Sequence, residues 1–114
     1  MIPDKEEYIS YDEFSKVRLR IGRVIHAETV HGMQKVFKAI VDIGSERREL
    51  AVGAALYYSP AQFVGKMVVI CTNLEPRKIG GIISDGMLLA AGGPDGRPIF
   101  LTVADDTPLG SVVR

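Results

Sequence analysis

The sequence has few of the residues that define several common classes of protein. It contains no tryptophan, and its single cysteine, Cys71, excludes a disulfide scaffold. No uncharged stretch reaches the ~18 residues that a membrane-spanning helix needs, and the acidic start of the chain is unlike a signal peptide. Basic and acidic residues number 14 each, so the formal net charge of zero excludes a uniformly basic polyanion-binding protein. We therefore expect one soluble, cytoplasmic domain over residues 1–114.

The charges are distributed unevenly along the chain. Residues 1–13 carry one basic and five acidic side chains, and residues 79–114 carry two basic and four acidic ones. Residues 14–78 carry eleven basic and five acidic side chains, which makes this middle segment +6. Such clustering is typical both of a solvated surface and of an anion-binding face. It needs a structural context before it indicates a partner.

Alternation of apolar and polar residues predicts a protein made mostly of strands. Residues 10–13 have the spacing of a capping box and predict a helix of about one turn. Residues 17–30 alternate with period two and predict one long strand, bent at Gly22. Further strands are predicted over 35–43, 48–52, 66–72, 86–91 and 99–103, with a short helix over 61–64 and a loop over 73–81.

The order of these elements matches an all-β, five-stranded OB-fold Greek-key barrel with short helices and an extra terminal strand. In that fold the second and third strands and the adjoining loops form the binding face. Periodicity alone also permits an SH3-like barrel or a split sandwich. We expect the core barrel over about residues 14–92 and a C-terminal extension over 93–114.

Two adjacent segments carry a family resemblance. Asn73-Leu-Glu-Pro-Arg-Lys-Ile-Gly-Gly-Ile, followed by Ser84-Asp-Gly-Met-Leu-Leu-Ala-Ala91, resembles the tRNA-binding domain family. That family includes free-standing structure-specific tRNA-binding proteins and the C-terminal domain or beta subunit of many methionyl-tRNA synthetases. Residues 11–23 resemble its opening motif, and Tyr58-Ser-Pro with Gly65-Lys66 resembles its short helix and the start of strand four. The resemblance covers about residues 10–92.

The resemblance implies a barrel that dimerises outside its core and binds tRNA largely by shape. It implies a non-catalytic protein without cofactors that assists aminoacylation, with methionyl-tRNA synthetase as a possible partner. The chain departs from the family pattern at residues 32–34 and at Val52-Gly53. Carried over by position, the tRNA-contact surface comprises Asn73, Arg77, Lys78, Ser84 and Met87, with Lys35 and Lys38 beside it.

The cations at these positions are suited to a phosphate backbone. Arg77 and Lys78 lie in the segment of strongest resemblance, and an arginine can hold a phosphate with a bidentate fork. Arg18 and Arg20 share one face of the predicted first strand, and the two lysines lie on the second strand. Lysines at strand ends also commonly protect sheet edges, which is the structural alternative for them.

The uncharged candidates are suited to sugars and bases. Asn73 and Ser84 offer hydrogen bonds to sugar, phosphate or a base edge, and Met87 offers an apolar surface to an unstacked base. The structural alternatives are turn capping for the two polar residues and core packing for the methionine. Because the chain has only four phenylalanines and four tyrosines, few stacking platforms are available, which favours folded RNA over single strands. Phe37 and Phe63 are predicted to be core residues.

The sequence shows no constellation for catalysis or metal binding. His26 and His31 are five residues apart on or near a strand, so they are expected on opposite faces. Cys71 lies in an apolar strand, where a cysteine is typically a small buried hydrophobe. The glycine pairs at 80–81 and 92–93 do not open a helix after a strand, so they are not phosphate-binding fingerprints.

Two expectations about protein partners remain. An export-related, peptide-binding chaperone of the same fold is the alternative function, but its corresponding segment lacks the Gly-Met-x-Leu-Ala-Ala pattern found here at 86–91. A homodimer is expected to form across an apolar stripe near the C-terminus, made of Ile99, Leu101, Val103 and Val112-Val113.

Overall fold

The computed structural model describes residues 7–114, and strands make up most of its regular structure. None of the helices within these residues is long and apolar enough to cross a membrane. The predicted all-β class is confirmed. The elements are α1 (Tyr11–Ser15), β1 (Leu19–Val30), β2 (Met33–Asp42), β3 (Arg47–Val52), β4 (Met67–Cys71), β5 (Arg77–Ile79), β6 (Ile82–Ser84), β7 (Met87–Leu88), β8 (Ala90–Gly92), β9 (Pro98–Phe100) and β10 (Val112–Val113), with short 3-10 helices at Pro60–Gln62 and Pro94–Gly96.

Local sequence signals account for the short helices. In α1 the Ser10 hydroxyl accepts a hydrogen bond from the Glu13 amide at 3.1 Å, and the Glu13 carboxylate accepts one from the Ser10 amide at 3.4 Å. This capping box satisfies two amides that the helix leaves without partners, so the predicted helix is confirmed. Ser59 and Gln62 form the same arrangement around the 3-10 helix that starts at Pro60.

The main sheet has the strand order β3-β2-β1-β4-β7, with β10 also paired to β1, and all of its pairs are antiparallel. The predicted hairpin between β2 and β3 is confirmed, and Gly44 adopts φ +89° at its turn. The β1–β2 register shifts between Val24 and His26 and again between Thr29 and Val30, and the bend at Gly22 stays a prediction. Gly22 remains in the ladder opposite Val68, and glycine is required there because a Cβ atom would overlap the Val41 side chain.

The core lies on the inner face of β2, β3 and β4. Phe37, Leu50 and Ile70 are fully buried there, and Phe63 packs edge-on against Phe37 with ring centroids 5.5 Å apart. The prediction that both phenylalanines belong to the core is confirmed. Cys71 is also buried, as predicted for a small hydrophobe.

Hydrogen bonds connect edge strand β3 to the segment that precedes β7. The Asp85 amide donates to the Glu49 carbonyl at 2.9 Å, and the Ala51 amide donates to the Ser84 hydroxyl at 3.0 Å. These bonds bring the two ends of the main sheet together around residues 84–86. A closed five-stranded OB-type barrel stays a prediction.

The predicted strand over 86–91 is wrong as a single element. β7 pairs with β4, whereas β8 pairs with β9 in a separate two-stranded sheet. Between them, the Leu89 amide donates to the Val69 carbonyl, and the Leu89 carbonyl accepts from the Leu101 amide. The chain therefore changes its hydrogen-bonding partners at this residue. The C-terminal segment contacts the rest of the fold through β9, through β10 and through an Arg23–Asp106 ion pair of 3.2 Å.

Candidate nucleic-acid interface

The segment of strongest family resemblance forms a hairpin, which we call the site hairpin and define as residues 73–86. β5 and β6 pair within it, with Arg77 opposite Ser84 and Ile79 opposite Ile82. Gly80 adopts φ +62° at the turn, a conformation that favours glycine. The sequence-based prediction of a loop over 73–81 is therefore wrong over β5, because a two-residue turn joins it to an apolar strand with a buried residue, Ile82.

Period-two alternation separates the two adjacent cations of the site hairpin. Arg77 shares a face with Ser84, which is buried against β3, whereas Lys78 is opposite Ile83, whose side chain is 60% exposed. The two cations therefore point to opposite faces of the hairpin. The two cations are adjacent in the sequence, but only Arg77 lines the concavity beside the hairpin.

Arg77 and Met87 line the same concavity, which has a volume of about 490 Å³. Leu74 and Met87 are 44% and 49% exposed, so the alternative that Met87 is a core residue is wrong. The remaining lining residues are Ala51, Glu75, Ile79, Ser84 and Gly86. Leu74 and Met87 also line a neighbouring concavity of about 440 Å³ that includes Lys16, Val17 and Asn73.

The polar groups of Asn73 and Ser84 make hydrogen bonds within the fold. The Asn73 side chain accepts from the Arg18 amide at 2.9 Å and donates to the Lys16 carbonyl at 2.5 Å, so it connects the end of β4 to the start of β1. The Ser84 hydroxyl accepts from the Ala51 amide and donates to the Gly86 carbonyl at 3.2 Å. Both residues position the site hairpin, and direct RNA contact by either of them stays a prediction.

The two lysines of β2 lie in different environments. Lys38 is between two carboxylates on neighbouring strands, 3.4 Å from Glu28 and 3.3 Å from Glu49. The hydrogen bond that Lys38 donates to Glu49, and then the Glu49 charge, raise the pKa of Lys38 above its usual 10.5, with Glu28 adding to the effect. Lys35 is exposed near the start of β2, where the pairing with β1 is irregular.

Arg18 and Arg20 line a different cavity from that of Arg77. Both line a cavity of about 210 Å³ between α1 and β10, which shares no lining residue with the concavity of Arg77. Arg20 donates a hydrogen bond from Nη1 to the Gly110 carbonyl at 2.8 Å. Its guanidinium therefore connects the C-terminal turn to β1. Neither arginine lines the concavity of Arg77, and Arg18 meets a site candidate only through its backbone amide, which donates to Asn73.

Three residues near the site were missed by sequence reasoning. Leu74 and Glu75 line the concavity of Arg77, and Arg48 contacts the site hairpin from β3. No periodicity or motif marks Arg48, because its partners are backbone carbonyls more than twenty residues away along the chain. Within residues 7–114, no group of three or more histidine, cysteine or acidic side chains is arranged to hold a metal ion.

A concave surface that combines an arginine with exposed leucine and methionine side chains is suited to an anionic ligand with an apolar part. Comparison with known proteins gives the family. The chain belongs to the tRNA binding domain family, whose model matches residues 19–112. Domains of this family are non-catalytic binding modules, although the longer relatives that carry them are enzymes.

Curated relatives of the chain include methionine–tRNA ligases. The chain is 43% identical over 110 residues to the ligase of Caldanaerobacter subterraneus, which covers 96% of the chain and 17% of the ligase. It is 40% identical over 111 residues to that of Methanocaldococcus jannaschii, covering 97% of the chain and 17% of the ligase. The chain thus spans about a sixth of the length of these relatives.

Solved structures share the fold. A MetRS-related protein from Pyrococcus horikoshii superposes with a TM-score of 0.90 at 35% identity, covering 96% of this chain and all of that one. The chaperone CsaA from Bacillus anthracis superposes with a TM-score of 0.86 at 22% identity, over 95% of this chain and all of that one. At that identity the second likeness shows the fold alone.

Proposed function

We propose that this protein binds tRNA, recognises its shape rather than its sequence, and assists aminoacylation. The observation that carries the proposal is the position of Arg77 and Met87 in one concavity, within the segment that most resembles the family. Both residue types have a direct use in RNA binding, one for phosphate and one for an unstacked base.

The proposed mechanism is local charge neutralisation with a small number of specific contacts. Arg77 pairs with phosphate oxygens and releases condensed counterions, so affinity falls as salt concentration rises. Met87 and Leu74 provide the apolar surface against which an unstacked base packs. Because the whole chain is neutral, non-specific attraction to other polyanions is weak and the geometry of the patch selects the RNA.

The proposed partners are a second copy of the chain and methionyl-tRNA synthetase. Exposed apolar side chains occur on α1 and on the C-terminal segment, including Phe14, Ile99, Leu101 and Val112. A two-fold interface that covers them would remove this apolar surface from water. Since the relatives carry the domain as part of a synthetase, the proposed role is to raise the effective concentration of tRNA at that enzyme.

A filter-binding titration over a salt series tests the proposed function. We expect tRNA to bind with a negative slope of log affinity against log salt, and more tightly than a random RNA duplex of equal length. Equal affinity for the two RNAs would contradict shape recognition. Tight binding of an unfolded peptide without tRNA binding would instead support the peptide-binding chaperone, the alternative function that the sequence left open.

Two further measurements test the partners. Sedimentation equilibrium is expected to give twice the 12.4 kDa mass of the chain. Addition of the chain to purified methionyl-tRNA synthetase is expected to increase aminoacylation at tRNA concentrations well below KM. A monomeric mass, or an unchanged aminoacylation rate, would contradict the corresponding partner.

A further inference from the structure

The guanidinium of Arg48 forms hydrogen bonds at both ends of the site hairpin. Its Nη1 donates to the carbonyl of Thr72, directly before the hairpin, at 2.9 Å, and to the carbonyl of Asp85 at 3.3 Å. The Asp85 carboxylate lies 3.3 Å from the same nitrogen. One side chain of β3 therefore connects the two strand ends between which residues 73–84 extend.

A carboxylate orients this guanidinium. One Glu46 oxygen, Oε1, accepts hydrogen bonds from both Arg48 Nε at 3.0 Å and Arg48 Nη2 at 2.8 Å, which holds this edge of the guanidinium in place. The Arg48 side chain is only 16% exposed, and all three of its nitrogens are in use within the fold. Its surroundings are those of a structural cation, in contrast to the exposed Arg77.

The site hairpin depends on such anchors because it has little structure of its own. β5 and β6 contribute three paired positions each, and an isolated two-stranded hairpin is at best marginally stable in water. Fixing both ends reduces the conformations open to the intervening residues and so lowers the entropic cost of binding. Arg77 and Met87 lie within and directly after the segment that is held in this way.

We propose that Arg48 is a positioning residue for tRNA binding, which acts by holding the site hairpin in its binding geometry without contacting RNA. The inference rests on the proposed function, because it specifies how the tRNA site is kept in place. It assigns to β3 a role in affinity that neither charge counting nor the family resemblance assigns to it.

The experiment compares Arg48→Met with Arg47→Met, a matched control that removes the neighbouring exposed cation of the same strand. We expect Arg48→Met to weaken tRNA binding about tenfold, corresponding to about 1.4 kcal/mol, and Arg47→Met to weaken it less. Hydrogen exchange of amides 73–86 should accelerate in Arg48→Met while that of the β1–β2 ladder stays unchanged. The salt slope should stay at the wild-type value in Arg48→Met, since no phosphate contact is lost.

Two additional variants keep the test decisive if Arg48→Met does not fold. Arg48→Lys retains the charge but loses the fork, and it should also accelerate exchange in the site hairpin. Asp85→Ala removes a negative charge, so simple electrostatics predicts tighter tRNA binding, whereas the positioning role predicts weaker binding. Combining Arg48→Met with Arg77→Ala should give a loss close to the sum of the single losses, because a hairpin that is only less ordered before binding still makes its Arg77 contact in the complex.

The outcomes separate this inference from the proposed function. Unchanged affinity together with faster hairpin exchange would overturn the positioning role while tRNA binding stands. A reduced salt slope in Arg48→Met would also overturn it, because it would show that Arg48 contacts phosphate. If the wild-type protein failed to bind tRNA, the proposed function itself would fail, whereas the exchange measurement would still report whether Arg48 holds the hairpin.

Discussion

Lys38 and Arg77 are both basic residues on strands, yet their surroundings differ in a way that residue type does not show. Lys38 lies between Glu28 and Glu49 on the main sheet, so two carboxylates already neutralise its charge. Arg77 lies on the site hairpin, where it makes no ion pair with any of residues 7–114 and lines an open concavity. Lys38 therefore stabilises the sheet, whereas Arg77 is available to a ligand.

Because of this difference, the net charge of the middle segment does not measure how many cations are available to a ligand. The +6 of residues 14–78 includes Arg20, Arg23, Lys38 and Arg48, which are all engaged with carbonyls or carboxylates of the same chain. Binding is therefore expected to depend on a few cations around the hairpin, and stability on the sheet. The predictions below separate these two properties.

The largest expected effect is a loss of stability in the sheet. Replacing Gly22 with alanine places a Cβ atom against Val41, where the only relief is a shift of β1 or β2. We expect a loss of about 2 kcal/mol in the free energy of unfolding, measured by urea denaturation. The folded fraction should bind tRNA with wild-type affinity, and a matching loss of affinity would show that the sheet and the hairpin are coupled.

The next effect is a loss of affinity in the hairpin. Arg77→Ala should weaken tRNA binding about tenfold, or about 1.4 kcal/mol, and reduce the salt slope by about 0.9, the value for one phosphate contact. The free energy of unfolding should change by less than about 0.5 kcal/mol, since the side chain is exposed. Lys78→Ala is the matched control, because it removes an equal charge from the opposite face, and an equal loss would contradict a one-sided interface.

A smaller effect is expected where a site candidate serves the fold. Asn73→Ala removes the bonds to the Lys16 carbonyl and the Arg18 amide, which should cost about 1 kcal/mol of stability by urea denaturation. The salt slope of tRNA binding should not change. A reduced affinity at unchanged stability would instead show that the Asn73 amide contacts RNA.

The smallest effect is expected at Lys38. Lys38→Met removes a charge that Glu28 and Glu49 already neutralise, so the salt slope of tRNA binding should stay close to the wild-type value. Filter binding over the same salt series measures it. A slope reduced as much as in Arg77→Ala would show that Lys38 exchanges its carboxylates for phosphate on binding.

The sequence predicts the strands well where one face is buried. β1 to β4 are found because alternation, hairpin turns and the capping box are local signals, and the all-β class follows from them. The failures occur where partners are distant. Nothing local shows that Leu89 changes from β4 to the C-terminal segment. The Gly80-Gly81 pair is a local signal for a hairpin turn, but the burial of Ile82 depends on distant residues.

The candidate site is predicted in part for the same reason. Arg77 and Met87 follow from the family resemblance, and the structure places them in one concavity. The separation of Lys78 from Arg77 depends on strand register, and the neutralisation of Lys38 depends on β1 and β3 together. No sequence motif identifies Arg48, because it donates hydrogen bonds to backbone carbonyl groups, which every residue has.

The most direct test of the account is a comparison of salt slopes for tRNA binding by the wild-type protein, Arg77→Ala and Lys38→Met. Each variant removes one positive charge from a neutral chain, so any effect of net charge is the same in both. We predict that the slope falls by about 0.9 in Arg77→Ala and stays at the wild-type value in Lys38→Met. Equal slopes in the two variants would contradict the claim that the hairpin, and not the overall charge of the middle segment, binds the RNA.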